Sequence, residues 1–230
     1  MSQHFAQEVE NLKQQLLTMA SHAESAVRNA VKALVSYNHT LAAEVIQNDD
    51  ILDRFEVQID ELAIQALAKA PLASDLRLVT RAMKISHELE RIGDAATTIA
   101  RRSQLLPQGI PLDEFADIPH LTQLVLQMLK EALDAFVGHE PERARAVIPQ
   151  DRIVDQLNKE AHQSLTQYLL QQPSAAQWVL HLMTITKSLE RIGDHAKNIA
   201  EDVVYLYEGH DIRHRGGADT VRDEAESKDV

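Results

Sequence analysis

The amino-acid sequence predicts an all-α fold of two tandem three-helix antiparallel bundles, and three observations carry that prediction. The string LERIGD occurs at Leu89–Asp94 and again at Leu189–Asp194, and around it Met83–Ala100 and Met183–Ala200 share eleven identical positions of eighteen. Self-similarity of that extent marks two copies of one unit. Apolar residues recur at heptad-like spacing, and no segment shows the period-2 alternation of a half-buried strand. The composition is 44% hydrophobic and 25% charged, with 7 glycines and 7 prolines in 230 residues, which suits a helical protein with few turns.

Breakers near Tyr37–Thr40, Pro71–Ser74, Pro107–Pro119, Gly138–Pro141, Pro173–Ser174 and Gly209 cut the chain into six periodic segments. In the second, Leu52, Phe55, Ile59, Leu62 and Ala66 form a seam. In the third the seam is Leu78, Ala82, Ile85, Leu89, Ile92, Ala96 and Ile99. Pro149 is expected to kink the fifth segment near its start, where Gln47 stands in the first half. The sixth repeats the third with Ile185, Leu189, Ile192, Ala196, Ile199, Val203 and Leu206. Short turns at 71–74 and 172–174 force the helices they join to run antiparallel. The expected organisation is a first bundle over 1–106, a linker over 107–119, a second bundle over 120–208 and a charged C-terminal tail over 209–230.

Charge and composition exclude several functions. A formal net charge of −12 argues against nucleic-acid binding, which needs a basic face. The chain has no cysteine, so disulfides and thiolate metal sites are unavailable. No apolar run reaches about 18 residues and the polar start Met1–Glu10 lacks a signal peptide's apolar stretch, so a cytoplasmic location is expected. P-loop, nucleophile-elbow and HExxH motifs are all missing from the sequence, and no histidine follows a glutamate by three. The chain reads as a non-enzyme.

Acidic pairs carry the chemistry. Glu90 and Asp94 repeat as Glu190 and Asp194, and Asp49 and Asp53 repeat as Asp151 and Asp155. The i, i+4 spacing puts each pair on one helix face, about 5–6 Å apart, where like charges repel. Counting rise from the hairpin turns, the facing pairs differ in height by roughly 3 Å in the first half and 1.5 Å in the second. Two carboxylate pairs therefore sit side by side in each half. With Leu89 and Leu52 at a positions, Glu90 and Asp53 are b, Asp94 is f and Asp49 is e. This register predicts a cluster on the outward surface. Oxygen donors without thiolate suit Mg²⁺, Mn²⁺ or iron. The plain alternative is a solvated acidic face.

Neighbouring positions give secondary expectations. His87, one turn before Glu90, could add a nitrogen ligand or be an ordinary surface histidine; its counterpart is Lys187. His195, whose counterpart is Ala95, could touch a carboxylate beyond the cluster. Arg91 and Arg191 are expected to pair with acidic neighbours. Gly93 and Gly193 each cost about 1 kcal/mol inside a helix, so close helix packing is expected there.

LERIGD in both halves, Ser74-Asp75-Leu76-Arg77 before the first copy and Arg213–Gly217 (RHRGG) resemble the PhoU family of phosphate-signalling proteins. The resemblance implies paired three-helix bundles with iron or zinc clusters on D-x-x-x-D and E-x-x-x-D faces. By position the ligands would be Asp49, Asp53, Glu90 and Asp94, then Asp151, Asp155, Glu190 and Asp194. Thr98 stands where the second half has Asn198, a departure in the first copy's outer sphere. The resemblance further implies a negative regulator of the phosphate-starvation response, working as a homodimeric adaptor. Its partners would be the ATPase subunit of a phosphate ABC transporter and a sensor histidine kinase, with membrane attachment only through them. The competing reading is a carboxylate-bridged metal-storage or redox enzyme.

Overall fold

The structure, a computed structural model, is described for residues 3–68 and 72–212. Among these residues every regular element is helical: α1 (Gln3–Val35), α2 (His39–Gln47), α3 (Asp50–Leu67), α4 (Ala73–Ser103), α5 (Leu112–Phe115), α6 (Ile118–Gly138), α7 (Pro141–Val147), α8 (Asp151–Gln171) and α9 (Ala176–Glu208). Single 3-10 turns stand at Ile148–Gln150 and Pro173–Ala175. Pro71 and the tail motif Arg213–Gly217 lie outside the described residues.

The six expected segments are present, but the second and fifth are each divided. Pro149, which has no N–H to close a helical turn, sits in the 3-10 turn between α7 and α8. The first half breaks at the matching place without a proline: the Asn48 N–H caps α2 on Glu44 O, and the helix resumes at Asp50. The break therefore belongs to the repeated unit, and only its proline-bearing copy was visible in the sequence. Other boundaries follow capping chemistry. Asn38 Oδ1 accepts the Leu41 N–H at 3.0 Å to start α2, and Asp117 Oδ1 accepts the His120 N–H at 3.0 Å to start α6. Gly209 ends α9 at a positive φ of 73°, a conformation glycine adopts without a Cβ penalty.

The two halves pack against each other along one helix from each. Helices α4 and α9 make the most extensive helix contact in the fold, with α1 and α3 flanking α4, and α6 and α8 flanking α9. Arg81 pairs with Asp202 at 2.5 Å, His195 with Glu88 at 2.6 Å, and Arg102 lies 3.4 Å from His181. These pairings share one antiparallel register, which lays the two LERIGD copies across one another. Leu89, Ile92 and Ile99 and their equivalents Leu189, Ile192 and Ile199 are fully buried. The seam between the halves is thus built from the repeat itself.

The stretch 107–119, expected as a linker, carries the one-turn helix α5 and packs onto the second half. Phe115 is buried, 5.0 Å from the Tyr168 ring and 5.6 Å from the Trp178 ring. Tyr37 Oη donates to the Ile110 carbonyl at 3.0 Å, tying the same stretch to the end of α1. Among the described residues no helix is long and apolar enough to cross a membrane.

Candidate functional site

Each half carries an acidic crevice between its two antiparallel carboxylate-bearing helices, α3 with α4 and α8 with α9. The acidic residues singled out in the sequence stand in one another's electrostatic field there: Asp53 with Asp49 and Asp94, Glu90 with Asp94, Asp151 with Asp155 and Asp194, and Glu190 with Asp155 and Asp194. The expectation that they face outward holds for Asp53 and Asp155, which are exposed, and is corrected for three of the others. Asp151 and Glu190 are buried, and the Glu90 side chain is only 14% exposed. The heptad register located the seam of one bundle, but α4 and α9 are central helices with neighbours on several sides. Positions that would be open in an isolated three-helix bundle are covered here.

In the first crevice, Asp49 accepts a hydrogen bond from Thr97 Oγ1 at 2.8 Å and lies 3.6 Å from the Arg101 guanidinium. Glu90 Oε2 is enclosed and has no hydrogen bond; Arg91 Nε stands 3.4 Å away. Arg91 also reaches Asp94 at 3.3 Å, as expected of it. Burial first, then the charges of Asp49, Asp94, Glu56 and Asp50, hold the Asp53 carboxyl above the usual carboxylate range. Burial and then Asp94 raise Glu90 likewise, against the lowering effect of Arg91. Mutual repulsion of this kind shows that the carboxylates of α3 and α4 share one electrostatic field.

Glu56 was not anticipated from the sequence. Its Oε1 lies 3.0 Å from His87 Nδ1. Glu56, His87 and Glu90 each offer a ligand atom within 4.8 Å of the others, and this partly exposed group could hold a metal ion. The signal was available: Glu56 follows Asp53 by three, on the same face of α3.

The second crevice has the same carboxylates and different company. Lys197 Nζ donates to Asp151 Oδ2 and, at 3.1 Å, to Asp194 Oδ1. Lys187 Nζ lies 2.5 Å from Glu190 Oε2. Asp155 is exposed and lies in the field of both Asp151 and Glu190. Burial alone would lower the Lys197 pKa, but its hydrogen bonds to Asp151 and Asp194 overcome this and hold the ammonium above the ordinary lysine range. Asp151 stays above its own usual range because burial outweighs what the lysine returns. Both observations describe a charged lysine on a carboxylate that it only partly compensates. Glu190 is raised by burial in the same way, partly offset by Lys187.

The remaining secondary expectations resolve geometrically. His195 touches a carboxylate of the other half, Glu88, and Asn198 Nδ2 donates to that same Glu88 oxygen at 3.2 Å. The Thr98-for-Asn198 difference therefore bears on the α4–α9 seam and not on the acidic crevice. The difference that does enter the crevice is Thr97 against Lys197. Among the described residues Arg191 makes no ion pair, unlike Arg91. Gly93 and Gly193 serve close packing: an added Cβ at Gly93 would overlap Leu52 Cδ1, and at Gly193 it would stand 3.2 Å from Val154 Cγ1.

Both halves match the PhoU domain, at residues 16–103 and 118–203. The chain belongs to the PhoU family. It is 41% identical over 217 residues to the phosphate-specific transport system accessory protein PhoU homolog of Pseudomonas aeruginosa, covering 94% of this chain and 90% of that one. The Escherichia coli phosphate-specific transport system accessory protein PhoU is 35% identical over 219 residues, at 94% and 90% coverage. Among solved structures, PhoU from Pseudomonas aeruginosa superposes with a TM-score of 0.85 at 39% identity, covering 90% of this chain and 100% of that one. The phosphate transport system regulatory protein PhoU from Streptococcus pneumoniae superposes at 0.84 and 26% identity, with 90% and 99% coverage. The duplicated motif, the paired crevices and the central α4–α9 seam are thus features of a PhoU-family chain.

Proposed function

We propose that this chain is an accessory regulator of phosphate transport and not an enzyme. In this reading it is a cytoplasmic, homodimeric adaptor between the ATPase subunit of a phosphate ABC transporter and a sensor histidine kinase. It reaches the membrane only through those partners and restrains phosphate uptake when phosphate is plentiful. The observation that supports it most is the end-to-end likeness to relatives named as phosphate-specific transport system accessory proteins, over nine-tenths of both chains. A deletion strain, assayed for phosphatase expression in phosphate-rich medium, tests the reading. Constitutive expression that this gene returns to a low level supports it, and an unchanged strain rejects it.

The acidic crevices are the candidate metal centres of this reading, for iron, zinc, manganese or magnesium. The first crevice fits such an ion: Glu90 presents an enclosed oxygen with no hydrogen bond, and Glu56 and His87 converge with it. Asp49, Asp53 and Asp94 would complete an oxygen-rich set of the kind hard and borderline cations prefer. A cation there would relieve carboxylate repulsion and stiffen the face that α3 and α4 present to a partner. Replacing Asp49, Asp53, Glu90 and Asp94 by Asn or Gln is expected to lower metal content without unfolding the chain. Steady turnover of Fe²⁺ by the purified protein would instead support a carboxylate-bridged redox centre.

A further inference from the structure

We infer that the two acidic crevices have diverged: the second is closed by the chain's own lysines, so that metal binds in the first alone. The inference rests on the reading of the crevices as candidate metal centres and deepens it. A cation bridging α8 and α9 has to draw on Asp151 and Asp194, which belong to different helices. Lys197 Nζ already bridges those two carboxylates, with a side chain only 24% exposed against 7% for Asp151. The third inner carboxylate, Glu190, is met by Lys187. Both ammonium groups are tethered within reach, so they compete intramolecularly for the same oxygens at high effective concentration. Asp151 Oδ1 is enclosed without a hydrogen bond, as Glu90 Oε2 is in the first half. A metal ion drawing on it together with Asp194 would nevertheless have to expel Lys197, which would be left charged in a half-buried place, and displace the half-exposed Lys187.

The first crevice holds neutral or ligand-competent groups at the same two positions. Thr97 replaces Lys197 and gives Asp49 a hydroxyl hydrogen bond at 2.8 Å; a carboxylate can accept that bond and still coordinate a cation. His87 replaces Lys187, and a neutral imidazole is a metal ligand where an ammonium is a competitor. The first crevice has cations of its own, about as exposed as Lys187 at 51%, but none of them stands between its two helices as Lys197 does. Arg91, 44% exposed, contacts only Glu90 and Asp94 of its own helix, and Arg101, 62% exposed, contacts Asp49. Among the described residues no cationic side chain joins Asp49 to Asp94.

The test is Mn²⁺ stoichiometry of the metal-stripped full-length chain, measured by calorimetric titration and by elemental analysis after gel filtration. In the wild type, Asp53→Asn/Asp94→Asn is expected to abolish binding and Asp155→Asn/Asp194→Asn to leave it unchanged. Lys197→Thr is expected to add Mn²⁺ that Asp155→Asn then removes, whereas Lys197→Arg keeps the crevice closed. As a second readout, saturating Mn²⁺ should raise the Tm of Lys197→Thr by more than it raises that of the wild type. Wild-type Mn²⁺ that is lost on Asp155→Asn/Asp194→Asn overturns the inference while leaving the metal reading intact. A folded Lys197→Thr that gains no Mn²⁺ overturns it too. Absence of Mn²⁺, Zn²⁺ and Fe²⁺ binding in every variant overturns the metal reading and the inference with it.

Discussion

The two crevices hold the same four carboxylates at matching positions on equivalent helices, yet their charge balance differs. In the second half, Lys197 sits between the helices and Lys187 covers Glu190. In the first half, those positions hold Thr97 and His87, and the nearby arginines pair with carboxylates without bridging the two helices. Duplication preserved the backbone and the acidic residues but not the groups that neutralise them. A repeated acidic motif therefore does not by itself establish a repeated function. What decides is whether the compensating charge is built into the chain or taken from solution.

Stability of the metal-free protein gives the largest contrast between the halves. Lys197→Met leaves the buried Asp151 carboxylate without its counter-ion, an event that ordinarily costs 3–5 kcal/mol. Because Lys197 is about a quarter exposed, a loss of about 2–3 kcal/mol is expected in denaturant unfolding. Thr97→Val, the corresponding change in the first half, removes one hydrogen bond to a part-exposed carboxylate and should cost about 1 kcal/mol. Equal losses would break the comparison.

The motif glycines sharpen it on the packing side. Alanine gains about 1 kcal/mol over glycine in a helix interior. At Gly93 the new methyl overlaps Leu52, a buried side chain that must change rotamer, and such overpacking costs about 1–3 kcal/mol. Gly93→Ala should therefore be destabilising by about 1 kcal/mol net. At Gly193 the methyl meets Val154 at 3.2 Å and needs only a small adjustment. Gly193→Ala should be less destabilising than Gly93→Ala, because the helix gain of about 1 kcal/mol offsets the small adjustment of Val154. The check is the difference in thermal midpoint between the two variants.

The smallest effect is in pH dependence. Burial and Asp94 hold the Glu90 carboxyl above its usual range in the folded chain, so folding favours its protonated form. The sign follows from linkage: the stability it contributes is fully present below the ordinary glutamate pKa of about 4.3 and is lost as pH rises through the raised folded value. Metal-free Glu90→Gln should therefore be more stable than the wild type at neutral pH. That advantage should shrink to nothing as the pH falls into the ordinary carboxylate range. An advantage that grows on acidification would contradict a desolvated, repelled Glu90.

Much of this was legible in the sequence. Breakers delimited the long helices, and apolar spacing identified the buried stripe of three of them, because a helix that buries one stripe must repeat it about every 3.5 residues. Leu89, Ile92, Ile99 and their partners at 189, 192 and 199 were picked as core and are fully buried. The duplication and the hairpin count placed carboxylates of paired helices side by side, and Asp53 with Asp94 and Asp151 with Asp194 do interact, since rise per residue in a helix is constant. The break before α3 was missed because Asn48 carries no signal as strong as Pro149. Glu56 carries no repeat signal, because its equivalent by the α3–α8 offset is Asn158.

The sequence by itself thus determined the helical class, the twofold repetition, the family and the eight acidic residues, all of which are local or periodic properties of one chain. Only the tertiary structure decided that α4 and α9 pack against each other as central helices. Where α3 meets α4 and α8 meets α9, it sets Glu90, Glu190 and Asp151 deeper than the heptad register implied. It also sends Asn198 and His195 to the seam, on Glu88, and leaves Lys197 in the crevice between Asp151 and Asp194. The physical reason is that burial and ion pairing depend on what lies across from a residue. Across a helix interface the partner is set by the packing of distant segments, not by neighbours along the chain.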